Sequence, residues 1–399
     1  MNPSAAGWIP KFLNLLDKVI IEEANLPASV FYLKLKKTGF IYGNTTETLS
    51  ELSKNSLQLT KEEITKINLL HSLLYIYYSH NPTESSTQAL RKIYEFYKSL
   101  DRDKKGFFSK LSFSKSESQN LEKIIAARLQ ESNGILKANN SALLTYAFLF
   151  VDVLAFSKWL ETPQGIKEYV SNFESVAIHL CFKALKAKEK KKKYDLLLIE
   201  LFEASTEYAS ENLTIMSNVF SSENLSEKST EEKNYLLDLC CIAVWDDYEM
   251  DIQEFEYLQN LTQELSLPET SLYEAILDIK TFTEASAKKI KLFTHTNPVK
   301  RFYKQSVATV KLLILRNKNR LIQELLESGE LVKLLSLSTV QDLSEEEKKK
   351  VKEQLLDICK TIPSLTIFLL PGGTVLLPLL VKFIPKLLPS AFDENRIEK

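Results

Sequence analysis

The sequence predicts an all-α protein, and three observations predict it. Glycine supplies nine of 399 residues, against a usual share of about 7%, so few positions can take positive φ and tight hairpins are scarce. Leu, Lys, Glu and Ala are abundant, and all four favour helices. No glycine falls between Gly165 and Gly329, so this whole central region reads as packed helices. A hydrophobic share of 44% and a charged share of 26% are those of an ordinary globular chain, which excludes disordered, collagen-like and polytopic membrane classes. The length suits two or three domains, each able to bury a core.

Along the chain, Pro10 to Glu23 and Ala28 to Lys37 read as two short helices, stopped by Gly39 and Gly43. Thr60 and Glu63 form a capping box ahead of INLLHSLLYIYY, whose many apolar residues imply burial on more than one side. Helical patterns continue over Thr87 to Leu100 and Glu117 to Leu129, with the polar loop DRDKKGFFSK between them. The run ALLTYAFLFVDVLAFSKWL is apolar, but Asp152 and Lys158 interrupt it, so it reads as a buried core helix rather than a membrane span. A lysine cluster, Lys186 to Lys193, reads as a solvated helix surface or helix junction. Ser229 with Glu232 caps the helix YLLDLCCIAVW, and Ser344 with Glu347 starts the helix EEEKKKVKEQLLDICK. These boundaries divide the chain into an N-terminal helical domain (1–193), a second helical domain (194–285), a basic helical segment (286–361) and an apolar segment (362–392).

The net charge of -1 gives no global push toward nucleic acid or membrane, so any electrostatic function must come from local segregation. Four cysteines without CxxC spacing and four histidines, none at i, i+4 spacing, make a zinc site improbable and point to reduced thiols. No cofactor is expected. The N-terminus lacks the pattern of a signal peptide, so contact with a membrane is expected from the cytoplasmic side. There is no P-loop, GxGxxG, GxSxG, HExxH or kinase signature, and the lone histidines default to structural groups. The chain is expected not to be an enzyme.

Three segments carry candidate chemistry. In WDDYEMDIQEFEYLQNL, Asp247, Glu249 and Asp251 alternate as in the first half of a calcium loop. The sixth and twelfth positions are Ile252 and Leu258, where such a loop needs Gly and Glu, so this is not an EF-hand. Asp251 capping the next helix, with Glu254 reaching back, explains the acids better than metal binding does. Between Lys288 and Arg320 there are ten Lys or Arg and no acid. Lys300, Arg301, Lys304, Lys311, Arg316, Lys318 and Arg320 are the candidate polyanion-binding residues, facing anionic lipid or ribosomal RNA phosphates rather than DNA. From Ile362 to Val381 no residue is charged. A helix of twenty such residues could span about 30 Å of hydrocarbon, but Pro371, Gly372 and Gly373 break it, predicting two apolar arms in a hairpin. Lys382 and Lys386 are placed to snorkel toward headgroups, and membrane association edges ahead of a soluble core.

Two resemblances follow from these residues. DYEMDIQEFEYLQNL resembles the Asp-Gly-x-Ile-Asp-x-x-Glu signature of tellurite-resistance TerB-like helical domains; Asp247, Glu249, Met250, Asp251 and Glu254 fall on it, while Tyr248 stands in place of Gly. The domain would cover about 194–285. More specifically, IPSLTIFLLPGGTVLLPLLVKFIPKLLPSAF resembles the membrane segment of the Letm-type family, the leucine-zipper and EF-hand-containing transmembrane proteins of mitochondria and their bacterial relatives. Pro363, Pro371, Pro378, Pro385 and Pro389 match its proline spacing, with Lys382 and LPSAF, and the match covers about 342–392. The resemblance implies inner-membrane association, cation homeostasis by proton exchange and ribosome binding. Thr374 stands where the family's membrane carboxylate would fall, leaving this segment without a titratable group for exchange. The family's ribosome-binding region is expected after this segment, so ribosome contact would fall to 288–320.

Together these readings predict a non-enzymatic, bacterial, Letm-like helical bundle at the cytoplasmic face of the inner membrane, with membrane lipid, the ribosome and further copies of itself as partners. The alternatives are a subunit of a cation/proton exchanger and a soluble TerB-like scaffold.

Overall fold

The computed structural model describes residues 1–51, 59–100, 116–129, 146–191, 193–209, 225–245, 250–289, 317–338, 343–362 and 376–387, with isolated positions 307, 310, 311, 313–315, 341, 365 and 368. Every regular element among them is helical. The first body comprises α1 (Trp8–Glu23), α2 (Ala28–Thr38), α3 (Lys61–His80), α4 (Ser86–Leu100), α5 (Glu117–Arg128) and α6 (Leu149–Glu161). α3 sits at its centre, packed on α1, α4 and α6. As its composition predicts, α3 is buried all round: Ile67, Leu69, Leu70, Leu73 and Leu74 are inaccessible. Its capping box forms as expected, with Thr60 Oγ1 accepting the Glu63 amide at 3.2 Å and Glu63 accepting the Thr60 amide at 2.8 Å.

α1 begins at Trp8, two residues before the predicted start. The reason lies far away in sequence: Glu122 of α5 accepts the amides of Gly7 and Ile9, both at 3.0 Å. A carboxylate at a helix N-terminus satisfies orphan donors and complements the helix dipole. Gly39 ends α2 with φ of 79°, where a Cβ would run into the Asn44 carbonyl and the Phe282 ring. α6 is the core helix that Asp152 predicted. Its carboxylate is fully buried and receives Arg128 through Nε at 2.8 Å and Nη2 at 3.1 Å, with the Tyr97 hydroxyl donating at 3.1 Å.

α7 (Ile166–Ala187) joins this body to α9 (Thr230–Val244) and α10 (Ile252–Glu264), and α11 (Thr270–Lys289) packs on both of these and on α2. A second buried ion cluster ties α2 to this group: Lys36 Nζ lies 2.9 Å from Asp238 and 2.7 Å from Asp278, and Tyr32 donates to Asp238 at 2.7 Å. Burial pushes the Asp238 carboxyl up, while Lys36 and Tyr32 oppose that shift. The lysine cluster falls at a helix junction, and one of its described members is buried there. Lys188, at the junction after α7, is 4% exposed and lies 3.5 Å from Asp195 and 3.6 Å from Glu254. Periodicity could not reveal this, because both carboxylates come from later helices. All four cysteines are buried free thiols.

The remaining unit is α12 (Lys318–Glu327), α13 (Gly329–Leu337), α14 (Glu345–Thr361), α15 (Leu377–Phe383) and the 3-10 turn Ile384–Leu387. It packs on α8 (Lys193–Ala209) through α14 and α15.

Candidate functional site

The C-terminal unit contains the apolar segment, and its described residues do not support the expected hairpin. Leu377, Leu379, Leu380, Val381 and Ile384 are buried, as are Ile362, Leu365 and Phe368. α15 has seven residues, about 10 Å of helix, against about 30 Å of hydrocarbon. It packs on α8 and on the 3-10 turn that follows it, and its apolar side chains are buried, so their hydrophobicity is satisfied by protein. Among the described residues no helix is long and apolar enough to cross a membrane. Pro378 and Pro385 are half-buried, and Pro378 sits in the first turn of α15, where its missing N–H costs nothing. Pro363, Pro371, Gly372, Gly373 and Pro389 lie outside the described residues. Lys382 is exposed, and its Nζ stands 3.8 Å from Glu200 of α8.

α14 opens on the expected capping box: Ser344 Oγ accepts the Glu347 amide at 3.4 Å, and Glu347 accepts the Ser344 amide at 2.8 Å. The Ser344 amide and the Ser344 hydroxyl, each donating to the Glu347 carboxylate at 2.8 Å, hold that carboxyl below its ordinary range. Val351, Leu355, Ile358 and Cys359 face inward, leaving Lys349 and Lys350 exposed. Against α13, Lys350 Nζ meets Glu330 at 3.0 Å and Gln354 donates to the same carboxylate at 3.0 Å, lowering the Glu330 pKa.

Of the seven predicted polyanion-binding residues, Lys311, Lys318 and Arg320 are described and all three are exposed. Lys311 Nζ lies 5.0 Å from the Phe383 ring centre, a cation–π contact that ties the basic segment to α15. Arg320 Nη2 donates to the Thr361 carbonyl at 2.7 Å and so satisfies the C-terminal end of α14. Lys300, Arg301, Lys304 and Arg316 lie outside the described residues. The structure thus ties the basic segment to α14 through Arg320 and to α15 through Lys311. Exposed Lys349 and Lys350 belong to the same unit but were passed over, since neighbouring glutamates mask them in a linear charge count.

At the acidic turn, Asp251 performs the predicted cap. Its Oδ1 accepts the Glu254 amide at 2.7 Å, Glu254 accepts the Asp251 amide at 2.8 Å, and Oδ2 takes the Glu189 amide at 3.1 Å. Asp247 and Glu249 lie outside the described residues, among which no group of three metal-binding side chains occurs.

Comparison with known families adds one finding. Residues 343–399 match the family model described as LETM1-like, RBD, a ribosome-binding domain. The match begins at the loop before α14 and runs through α15, covering about one-seventh of the chain. It supports a likeness to the Letm-type family over this stretch, and it moves one boundary. The proline-spaced segment that resembled the family's membrane segment falls within the ribosome-binding model instead. No curated protein and no solved structure matches the chain.

Proposed function

We propose that this is a non-enzymatic, Letm-like helical protein whose C-terminal unit binds the ribosome. The observation that carries the reading is the family match over α14 and α15. Exposed Lys318, Lys349 and Lys350 on that unit supply the chemistry that phosphate backbones require. A place at the cytoplasmic face of the inner membrane of a bacterium and a link to cation homeostasis belong to the same reading and rest on the resemblance alone. The TerB-like reading of 194–285 is a structural one, with Asp251 as a helix cap and Lys188 between Asp195 and Glu254.

Sedimentation of the full chain with purified ribosomes at low and high salt tests the proposal. Binding should weaken steeply with salt and fall further in Lys318→Glu combined with Lys349→Glu. Pelleting that ignores both salt and charge reversal would remove the phosphate-contact reading; no pelleting at low salt would remove ribosome binding itself.

A further inference from the structure

A cleft of about 530 Å³ opens between α2, α3, α6 and the start of α9, away from the C-terminal unit. Its floor is apolar and aromatic, formed by Phe31, Leu35, Tyr75, Phe150, Val153 and Leu154. The floor is rigid: Phe31 stacks on Tyr75 with ring centres 3.7 Å apart, and the Tyr32 hydroxyl beside it is held by Asp238. The rim has the opposite character, with Glu161, Glu227, Glu231 and Glu232 set against Lys158 and His80.

The rim carboxylates are unequally occupied. Glu232 is consumed by the α9 capping box and by the Tyr169 hydroxyl at 2.9 Å. Glu161 has only His80, at 3.8 Å. Glu227 and Glu231 have no ion-pair or hydrogen-bond partner among the described residues. Lys158 turns instead toward the Tyr169 ring, 5.8 Å from its centre. An apolar floor beneath unanswered carboxylates repels a polyanion and suits an apolar side chain flanked by cations.

We propose that this cleft docks a basic amphipathic peptide segment of a partner protein, inserting an apolar anchor between α2 and α6 while its Lys or Arg side chains meet Glu161, Glu227 and Glu231. The half-open shape admits a passing chain, and the groove-and-rim pattern is that of helix-in-groove recognition. The proposal stands apart from the ribosome reading: its residues, partner chemistry and charge preference are all different.

The test uses the full chain and a fluorescent synthetic peptide of Leu, Phe and Lys at helical spacing, with a twin carrying Glu for Lys. Fluorescence anisotropy should show the Lys peptide binding and the Glu peptide not. Glu227→Lys combined with Glu231→Lys should weaken the Lys peptide by about tenfold or more and allow the Glu peptide to bind, a gain that misfolding could not mimic. Ser157→Trp, which fills the cleft edge without altering charge, should weaken the Lys peptide. Absence of binding, affinity unmoved by charge reversal, or displacement of the peptide from the wild-type chain by a single-stranded RNA would each overturn the proposal.

Discussion

In the body of the protein Arg128 and Asp152 meet at 2.8 Å with side chains 2% and 0% exposed, whereas in the C-terminal unit Lys350 and Glu330 meet at 3.0 Å with 56% and 54% exposed. The separation is nearly the same and the physics differs. A buried pair is fixed, because removing one partner strands a charge in a low-dielectric interior. An exposed pair exchanges its partner for water or for another molecule at little cost. The body therefore uses charge to specify which helices meet, as Lys36 does with Asp238 and Asp278. The C-terminal unit builds its interior from Leu, Ile and Val and leaves its charges available for binding.

The sharpest way to break this contrast is Asp152→Ala. Removing the buried carboxylate that accepts from both Arg128 and Tyr97 should cost about 3–5 kcal/mol, read by urea denaturation of the full chain. A loss no larger than that of a surface substitution would mean that the buried pair is dispensable. The corresponding probe of the C-terminal unit is apolar: Leu380→Ala removes a fully buried side chain of α15 and should cost about 3 kcal/mol. Hydrogen exchange should then report opening of α14 and α15 while α3 stays protected. Equal exposure of α3 would show that the two regions unfold as one.

Four capping boxes were legible in the sequence, at Thr60, Ser229, Asp251 and Ser344, and all four close in the structure. Their partners lie three residues apart, so local spacing is the whole signal. The core placement of α6 was equally legible, because an acid inside an apolar run demands a buried partner. What stayed hidden depends on distant residues: Glu122 capping α1, Lys188 between Asp195 and Glu254, and the cleft assembled from α2, α3, α6 and α9. The apolar tail was ambiguous for a related reason. Hydropathy measures the drive to leave water, and the same Leu and Val residues satisfy it against lipid or against α8. The described residues of α15 satisfy it against protein.

Acid should separate the two regions more gently. Burial, with Lys183 nearby, depresses the His179 pKa from its ordinary 6.5 to about 4. His179 lies on α7, and the described C-terminal unit contains no histidine. A depressed folded-state pKa contributes stability that is complete above the unfolded value and lost as pH falls from 6.5 toward 4. The body should weaken across that window. The lowered carboxyls of Glu330 and Glu347 act only below about 4.5. Thermal melts between these pH values should flatten in His179→Gln; an unchanged slope would place the acid sensitivity elsewhere.

The smallest effect on folding, and the most telling for binding, belongs to Lys350 and Glu330. Both side chains face solvent, so Lys350→Ala should leave the melting curve unaltered while Glu330 loses its main cation and its pKa returns upward, measurable by carbon NMR. If Lys350 meets ribosomal phosphate, it must first leave Glu330. Glu330→Gln should then tighten ribosome binding as Lys350→Ala loosens it, and the salt dependence should shallow by about one unit of log–log slope in Lys350→Ala alone. Matching slopes in wild type and Lys350→Ala would keep this lysine out of the interface and shift attention to Lys318 and Lys349, which carry no such internal competitor among the described residues.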